Sequence, residues 1–294
     1  MKYNTLPTTN IKISELSLGC MSFHTEEQAR PIIEAALDLG INFFDTADLY
    51  DKGENEKILG KILAAKRQNA IIATKVGNQW RKDGSGWDWT PGKKYILKAV
   101  EASLRRLNTD YIDLYQLHGG TIDDPLEEVV EAFELLKEQG KIRAYGISSI
   151  RPNTIRKWTT AGNGVSCMSQ YSLLDRRPEE FILDYLHKND QKMLVRGALA
   201  KGLLAGKAPK SYLHWTKGEI SQLQEKLRSF SVNSPITALA MQYVLAHQSV
   251  ASIVMGASHA QQLVDNIKAF ETVSFSKKIL SELVTERKLS IFTK

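Results

Sequence analysis

The sequence predicts an α/β fold, a (β/α)8 TIM barrel with a short N-terminal hairpin before it and a long loop after the seventh strand. Three observations lead there. Apolar runs of roughly four to seven residues alternate with amphipathic segments of about ten to fifteen, the pattern of βα units on a parallel sheet. Eight such runs are present, and eight is the number that closes a barrel. No Gly/Ser/Pro linker and no shift in composition divides the 294 residues, so 1–294 is expected to be one domain.

The elements follow in order. The polar stretch MKYNTLPTTN suits a hairpin. The expected strands are Leu16 to Gly19, Asn42 to Asp45, Ile71 to Lys75, Ile112 to His118, Arg143 to Ser148, Ser166 to Gln170, Met193 to Arg196 and Ser252 to Gly256. Helices fill the gaps, several with readable starts. Thr25 with Gln28 and Ser258 with Gln261 fit capping boxes, in which side chains satisfy the free N–H groups of a first turn. Thr90-Pro91, Asp124-Pro125 and Ser234-Pro235 place a cap before a first-turn proline. Gly40 and Gly140 end two helices. The stretch from Ala200 to Asn233 is unusually long, and long βα loops in barrels tend to be functional covers. An open doubly wound sheet is the competing fold, but its G-x-G-x-x-G phosphate fingerprint is missing. The nearest approach, Gly162-Asn163-Gly164, follows no predicted strand.

Composition excludes several classes. With 43% hydrophobic and 24% charged residues, neither a disordered nor a collagen-like chain fits. Two cysteines, Cys20 and Cys167, are too few for a disulfide framework or a four-thiolate metal site and read as reduced core residues; no metal is expected. The balance of 39 basic and 33 acidic residues is spread along the chain without a basic run, so nucleic acid is a weak candidate partner. The N-terminus lacks a signal-peptide pattern and no apolar stretch is long enough to span a membrane, so a cytoplasmic protein without membrane contact is expected.

Barrels of this kind carry their working residues at the C-terminal ends of strands. Three successive apolar runs stop there at a titratable side chain: Asp45, Lys75 and His118. The next three end at Ser148-Ser149, Gln170 and Arg196. Each has an ordinary explanation alone, Asp45 as a helix cap, Lys75 as a surface lysine, His118 as a half-buried hydrogen-bonded histidine. Their convergence on one rim is the signal. Tyr50 follows Asp45 by five residues and reaches back over the mouth. A free tyrosine with a pKa of about 10 is a poor acid near neutrality, but a neighbouring ammonium lowers that value. Lys75 supplies the ammonium, Asp45 orients it, and His118 donates to a substrate carbonyl oxygen. This is an apparatus for delivering a proton to a carbonyl oxygen.

The chain here resembles the aldo/keto reductases, in particular their bacterial branch. Asp45, Tyr50, Lys75 and His118 match the family's tetrad in order and strand context. Three further stretches agree: Glu101 to Leu107 with Tyr111 to Leu114, Gln170 to Arg176, and Gly202 to Lys207. The resemblance implies NADPH-dependent reduction of aldehydes or ketones, with Tyr50 as proton donor and a small-molecule carbonyl compound as partner. It also implies cofactor contacts: Ser148 and Gln170 at the nicotinamide carboxamide, Gly202, Leu203 and Lys207 over the pyrophosphate, and Ser258, Gln262 and Asn266 at the adenosine end. Ser258 also opens a helix, where free N–H groups attract phosphate.

Departures accompany the match. The family's common Gly after Tyr50 is Asp51, its Asn after Ser148 is Ser149, and the aromatic that stacks on the nicotinamide is Arg196. Many relatives place Arg where this chain has Ser258. Trp80, Trp87 and Trp89 either wall a substrate pocket or pack the loop after strand three. Two other functions compete with a reductase: a nonenzymatic regulatory subunit that uses the cofactor as a sensor, and a lyase with Lys75 as Schiff-base nucleophile.

Overall fold

A computed structural model describes residues 1–230, 235–272 and 274–283. The chain opens with an antiparallel hairpin, β1 (Tyr3–Thr5) and β2 (Lys12–Ser14). The barrel begins with β3 (Leu16–Gly19), α1 (Glu26–Asp38), β4 (Phe43–Asp45), α2 (Glu54–Leu63) and β5 (Ile71–Val76). A second hairpin, β6 (Asn78–Trp80) and β7 (Trp87–Trp89), is inserted before α3 (Lys93–Leu107). Then come β8 (Ile112–Leu117), α4 (Leu126–Glu138), β9 (Ile142–Ser148), α5 (Pro152–Ala161), β10 (Ser166–Gln170), α6 (Ile182–Lys188) and β11 (Lys192–Arg196). The chain continues through α7 (Lys217–Phe230), α8 (Ile236–Leu245), β12 (Val250–Met255), α9 (Ala260–Thr272) and α10 (Lys277–Glu282). The strands β3, β4, β5, β8, β9, β10, β11 and β12 pair in that order as a closed parallel barrel, β12 returning to β3.

Both faces of each barrel strand are buried, which is why the strands read as continuous apolar runs rather than alternating ones. Phe43, Ala73, Leu114, Ala144, Met168 and Leu194 point into the barrel, while their neighbours Phe44, Ile72, Tyr115, Tyr145, Cys167 and Val195 pack against the helices. The lower end is closed by the first hairpin and its turn, whose Leu6, Ile11 and Ile13 join the interior cluster.

The expected strands form to within two residues at each end. Thr25 caps α1, its hydroxyl accepting from the Gln28 N–H at 3.2 Å. Gly40 and Gly140 take φ of +80° and +71° just past α1 and α4, the left-handed step that ends a helix. Other starts differ. Asp124 does not cap α4: its carboxylate accepts from the Thr121 backbone, the Thr121 hydroxyl and the Trp89 indole, which fasten the preceding loop. Thr90 lies outside the cap of α3, which is Gly92. At α9 the side chain that accepts from the first turn is His259, bonded to the Gln262 N–H, and Ser258 pairs with Gln262 rather than Gln261. Ser234 lies outside the described residues, and Pro235 precedes α8. The long stretch after β11 is not all loop, because it contains the 14-residue helix α7. Among the described residues no helix is long and apolar enough to cross a membrane, and no three His, Cys, Asp or Glu side chains converge as a metal site.

Candidate active site

Register brings the first group of residues together. Asp45 pairs with Ala73, two residues before Lys75, and Lys75 pairs with Gln116 on β8. Since side chains two apart share a face, Lys75 and Gln116 project inward, above the layer formed by Ala73 and Leu114. Lys75 Nζ is almost fully buried and donates to Asp45 Oδ2 at 2.7 Å and to the Thr46 carbonyl at 2.7 Å. It also donates to the Tyr50 hydroxyl at 3.4 Å, and lies 4.9 Å from the centre of the Tyr50 ring. The His118 ring meets Tyr50 edge-on, with centroids 5.7 Å apart. All four residues of the predicted tetrad therefore converge at the upper end of the barrel.

Electrostatics distinguishes their states. Burial pulls the Lys75 ammonium down, but the charges of Asp45 and Tyr50 outweigh it and hold its pKa above the ordinary lysine value. A lysine so held is a poor nucleophile, which argues against the Schiff-base alternative. Burial, followed by the charges of Lys75 and Arg196, pushes His118 down to about 3. The imidazole is therefore neutral near pH 7, and its Nδ1 is buried without a hydrogen-bond partner among the described residues.

The turn after Tyr50 explains one departure from the family pattern. Asp51 and Lys52 occupy the left-handed region, with φ of +49° and +54°. Glycine takes that conformation freely, whereas other residues are strained there by about 1–3 kcal/mol each. Of the three tryptophans, Trp80 donates its indole N–H to the Leu49 carbonyl at 3.1 Å and Trp89 donates to Asp124 at 2.8 Å, so both fasten the inserted hairpin. Trp87 is exposed.

The second group lies across the mouth. Ser148, Gln170 and Arg196 end the consecutive strands β9, β10 and β11, and Gln170 and Arg196 are in register. Ser148 is nearly buried, and its hydroxyl makes no hydrogen bond within the described residues, whereas that of Ser149 accepts from the Arg151 N–H at 3.2 Å. Gln170 is fully engaged: its amide N–H groups reach Asp175 at 2.8 Å and the Tyr212 hydroxyl at 2.9 Å, while its oxygen accepts from Arg196 at 2.9 Å. Asp175, completely buried, is in turn gripped by two Arg177 nitrogens at 2.7 Å. Gly202, Leu203 and Lys207 form the tight turn after β11. A Cβ at Gly202 would stand 2.6 Å from Lys207 Cδ, and Gln224 of α7 donates to the Leu203 and Lys207 carbonyls at 2.7 and 2.9 Å. The covering helix thus pins the turn. Gln262 and Asn266, four residues apart, share a face of α9, and Ser258 lies two residues before its start. Both the backbone N–H and the hydroxyl of Ser258 donate to Gln262 Oε1 at 2.9 Å.

Sequence reasoning did not assign Asp175 or Tyr212 a role, though both accept from the Gln170 amide. Asp175 lies in a stretch that matched the family, a signal that was there to follow. Tyr212 had none, since only the folded cover brings its hydroxyl to a residue 42 positions earlier.

An upward-opening barrel with a buried Asp–Lys pair beneath a tyrosine defines a class of oxidoreductase, and comparison with known proteins agrees. The sequence profile of the aldo/keto reductase family matches residues 15–285, and the chain belongs to that family. It is 44% identical to the uncharacterized oxidoreductase YqkF of Bacillus subtilis (strain 168), over 99% of this chain and 98% of that protein. It is 29% identical to the NADH-specific methylglyoxal reductase of Escherichia coli (strain K12), over 92% of this chain and 93% of that one. The holo form of the aldo-keto reductase AKR11C1 from Bacillus halodurans superimposes with a TM-score of 0.91 at 47% identity, covering 96% of each chain. The protein is thus an NAD(P)H-dependent oxidoreductase acting on carbonyl compounds.

Proposed function

We propose that residues 1–294 act as a single barrel domain that reduces aldehydes or ketones to alcohols with NADPH, Tyr50 being the general acid. The observation that carries the reading is the Tyr50 hydroxyl 3.4 Å from an ammonium that is itself buried against Asp45. When bound, the nicotinamide supplies hydride to the carbonyl carbon. Lys75 stabilises negative charge on the Tyr50 oxygen as its proton leaves, and Asp45 with the Thr46 carbonyl keeps the ammonium in place. His118, neutral at working pH, offers an N–H to the carbonyl oxygen without competing as an acid.

The residues present fit the cofactor. The hydroxyl of the nearly buried Ser148, without a hydrogen-bond partner among the described residues, suits one edge of a carboxamide, and Gln170 ends the adjacent strand on the same rim. Arg196 presents a planar guanidinium in the place of an aromatic ring. At Ser258, Gln262 and Asn266 the positive end of α9 favours a phosphate, while the missing guanidinium at 258 weakens the grip on the 2′-phosphate. The E. coli relative is named for NADH, and this reading assigns the choice between NADPH and NADH to this segment. The reading also places the protein in the cytoplasm, where the buried free thiols of Cys20 and Cys167 stay reduced.

The test is a panel of aldehydes and ketones followed by loss of NADPH or NADH absorbance. The expected result is turnover with both, NADPH being favoured by about ten to thirtyfold at low salt. Cofactor binding without turnover of any carbonyl would instead favour the regulatory-subunit alternative.

A further inference from the structure

Beside Tyr50 the backbone is bent into a shape that side chains resist, yet a long side chain stands there. Lys52 lies two residues after Tyr50, with φ of +54°, and its Nζ is 5.1 Å from the centre of the Trp80 ring. Trp80 is itself held, its indole N–H bonded at 3.1 Å to the carbonyl of Leu49, the residue before Tyr50. On the inserted hairpin, Gly84 leaves room for the same nitrogen: a Cβ added there would come within 3.0 Å of Lys52 Nζ. Glycine at position 52 would relax the turn and remove the charge.

That charge has no ion-pair partner among the described residues, although its neighbours do. Asp51 turns toward His24, with 3.7 Å between nitrogen and oxygen, and Arg81 on the hairpin grips Asp88 at 2.5 Å. Inside the mouth, Asp45 is already paired with Lys75. An aromatic face steadies an ammonium while leaving its N–H groups free to bond outward. The result is an available cation held against the Trp80 ring, two residues past Tyr50 on the turn that Trp80 ties down at Leu49. A substrate carbonyl must lie at the Tyr50 hydroxyl, so the rest of a small substrate extends toward this turn or away from it.

We propose that Lys52 is a specificity-determining residue that recognises an anionic group, phosphate or carboxylate, on the carbonyl substrate, with Trp80 as its support. The proposal rests on the reductase reading above. Lysine binds as a point charge without the planar fork of arginine, so both anions satisfy it.

Matched pairs of substrates test this. Glyceraldehyde 3-phosphate is compared with glyceraldehyde, and succinic semialdehyde with its methyl ester, using wild type, Lys52→Met and Lys52→Arg at saturating cofactor. Methionine keeps an apolar arm against Trp80 and removes the charge. In Lys52→Met the preference for the charged member of a pair, as a ratio of kcat/KM values, is expected to fall about three- to tenfold. The change should lie in KM for the charged aldehyde, shrink as salt rises, and be largely restored by Lys52→Arg. A fall in the phosphate pair alone identifies phosphate as the group read, and a fall in the carboxylate pair alone identifies carboxylate. Charged and neutral members moving together, or neither moving, overturns the proposal. Wild type that reduces no aldehyde of either kind would instead overturn the reductase reading itself.

Discussion

The two sides of the barrel mouth are built on different physical plans. On the side of β4, β5 and β8, each polar group projects from or just beyond a barrel strand and its partner is another member of the same site: Asp45 with Lys75, Lys75 with Tyr50, Tyr50 against His118. On the side of β9, β10 and β11, Gln170 bonds outward to Asp175 and Tyr212 of the covering segments, and beyond β12 Ser258 bonds to Gln262 at the start of α9. The first side is preorganised and closed upon itself. The second holds bonds that a ligand must share or replace. On the proposed function, proton delivery rests on rigid strands and cofactor recognition on groups with alternative partners.

Breaking the preorganised side should have the largest effects. Tyr50→Phe removes the proton donor and leaves the rim of β9 to β11 intact, so kcat should fall by about 10²–10⁴ while NADPH still binds. Single-turnover rates and a cofactor titration check both halves, and a variant retaining more than about a tenth of the wild-type rate would remove Tyr50 from its role. Asp45→Asn leaves the Lys75 ammonium buried without its counter-charge. Because the pair is buried, the loss in unfolding free energy should be about 3–5 kcal/mol, read from denaturant melts without cofactor. A loss under about 1 kcal/mol would show the pair to behave like an exposed one.

The second side should respond more gently and in both directions. Ser258→Arg restores a bidentate partner for a 2′-phosphate and should raise the NADPH to NADH affinity ratio about tenfold, an effect that salt diminishes. Equal dissociation constants for the two cofactors in wild type at low salt would show that this segment does not read the 2′-phosphate. Tyr212→Phe is the finest probe: it frees one Gln170 N–H, and NADPH should bind about two- to fivefold tighter by fluorescence titration. Weaker binding would mean that Tyr212 holds Gln170 in its working orientation rather than competing for it.

This contrast also explains what was legible in the sequence. The eight strands were, because burial on both faces leaves uninterrupted apolar runs such as Ile71 to Ala73. The tetrad was, because each member ends such a run or follows one at fixed spacing, so strand order alone aligns them. The helix starts at Asp124 and Ser258 were not, because a carboxylate or hydroxyl beside a helix has several possible acceptors or donors and tertiary neighbours decide. Asp124 went to Thr121 and Trp89. Tyr212 and Lys52 depend on where covering segments fold back, and a single chain carries no periodicity for that. The helix inside the stretch after β11 is hidden by length, which suggests loop, although the spacing of Ile220, Gln224 and Leu227 is helical.

The hairpin that seals the lower end of the barrel also sets a timetable. Asn4 donates to the Ala251 carbonyl at 2.7 Å, and the Ser252 hydroxyl to the Ser14 carbonyl at 2.7 Å, joining groups 247 and 238 positions apart. A segment made early therefore binds to one made about 240 residues later. At about 5–20 residues per second, translation keeps Leu6, Ile11 and Ile13 without Ala251 and Val254 of their interior cluster for on the order of ten to fifty seconds. Closure of the barrel and seating of its N-terminus become one late event, in which a single large loop-closure entropy is overcome by many contacts at once. Nascent chains of this protein are thus clients for whatever shelters exposed apolar segments during synthesis, up to the moment β12 emerges.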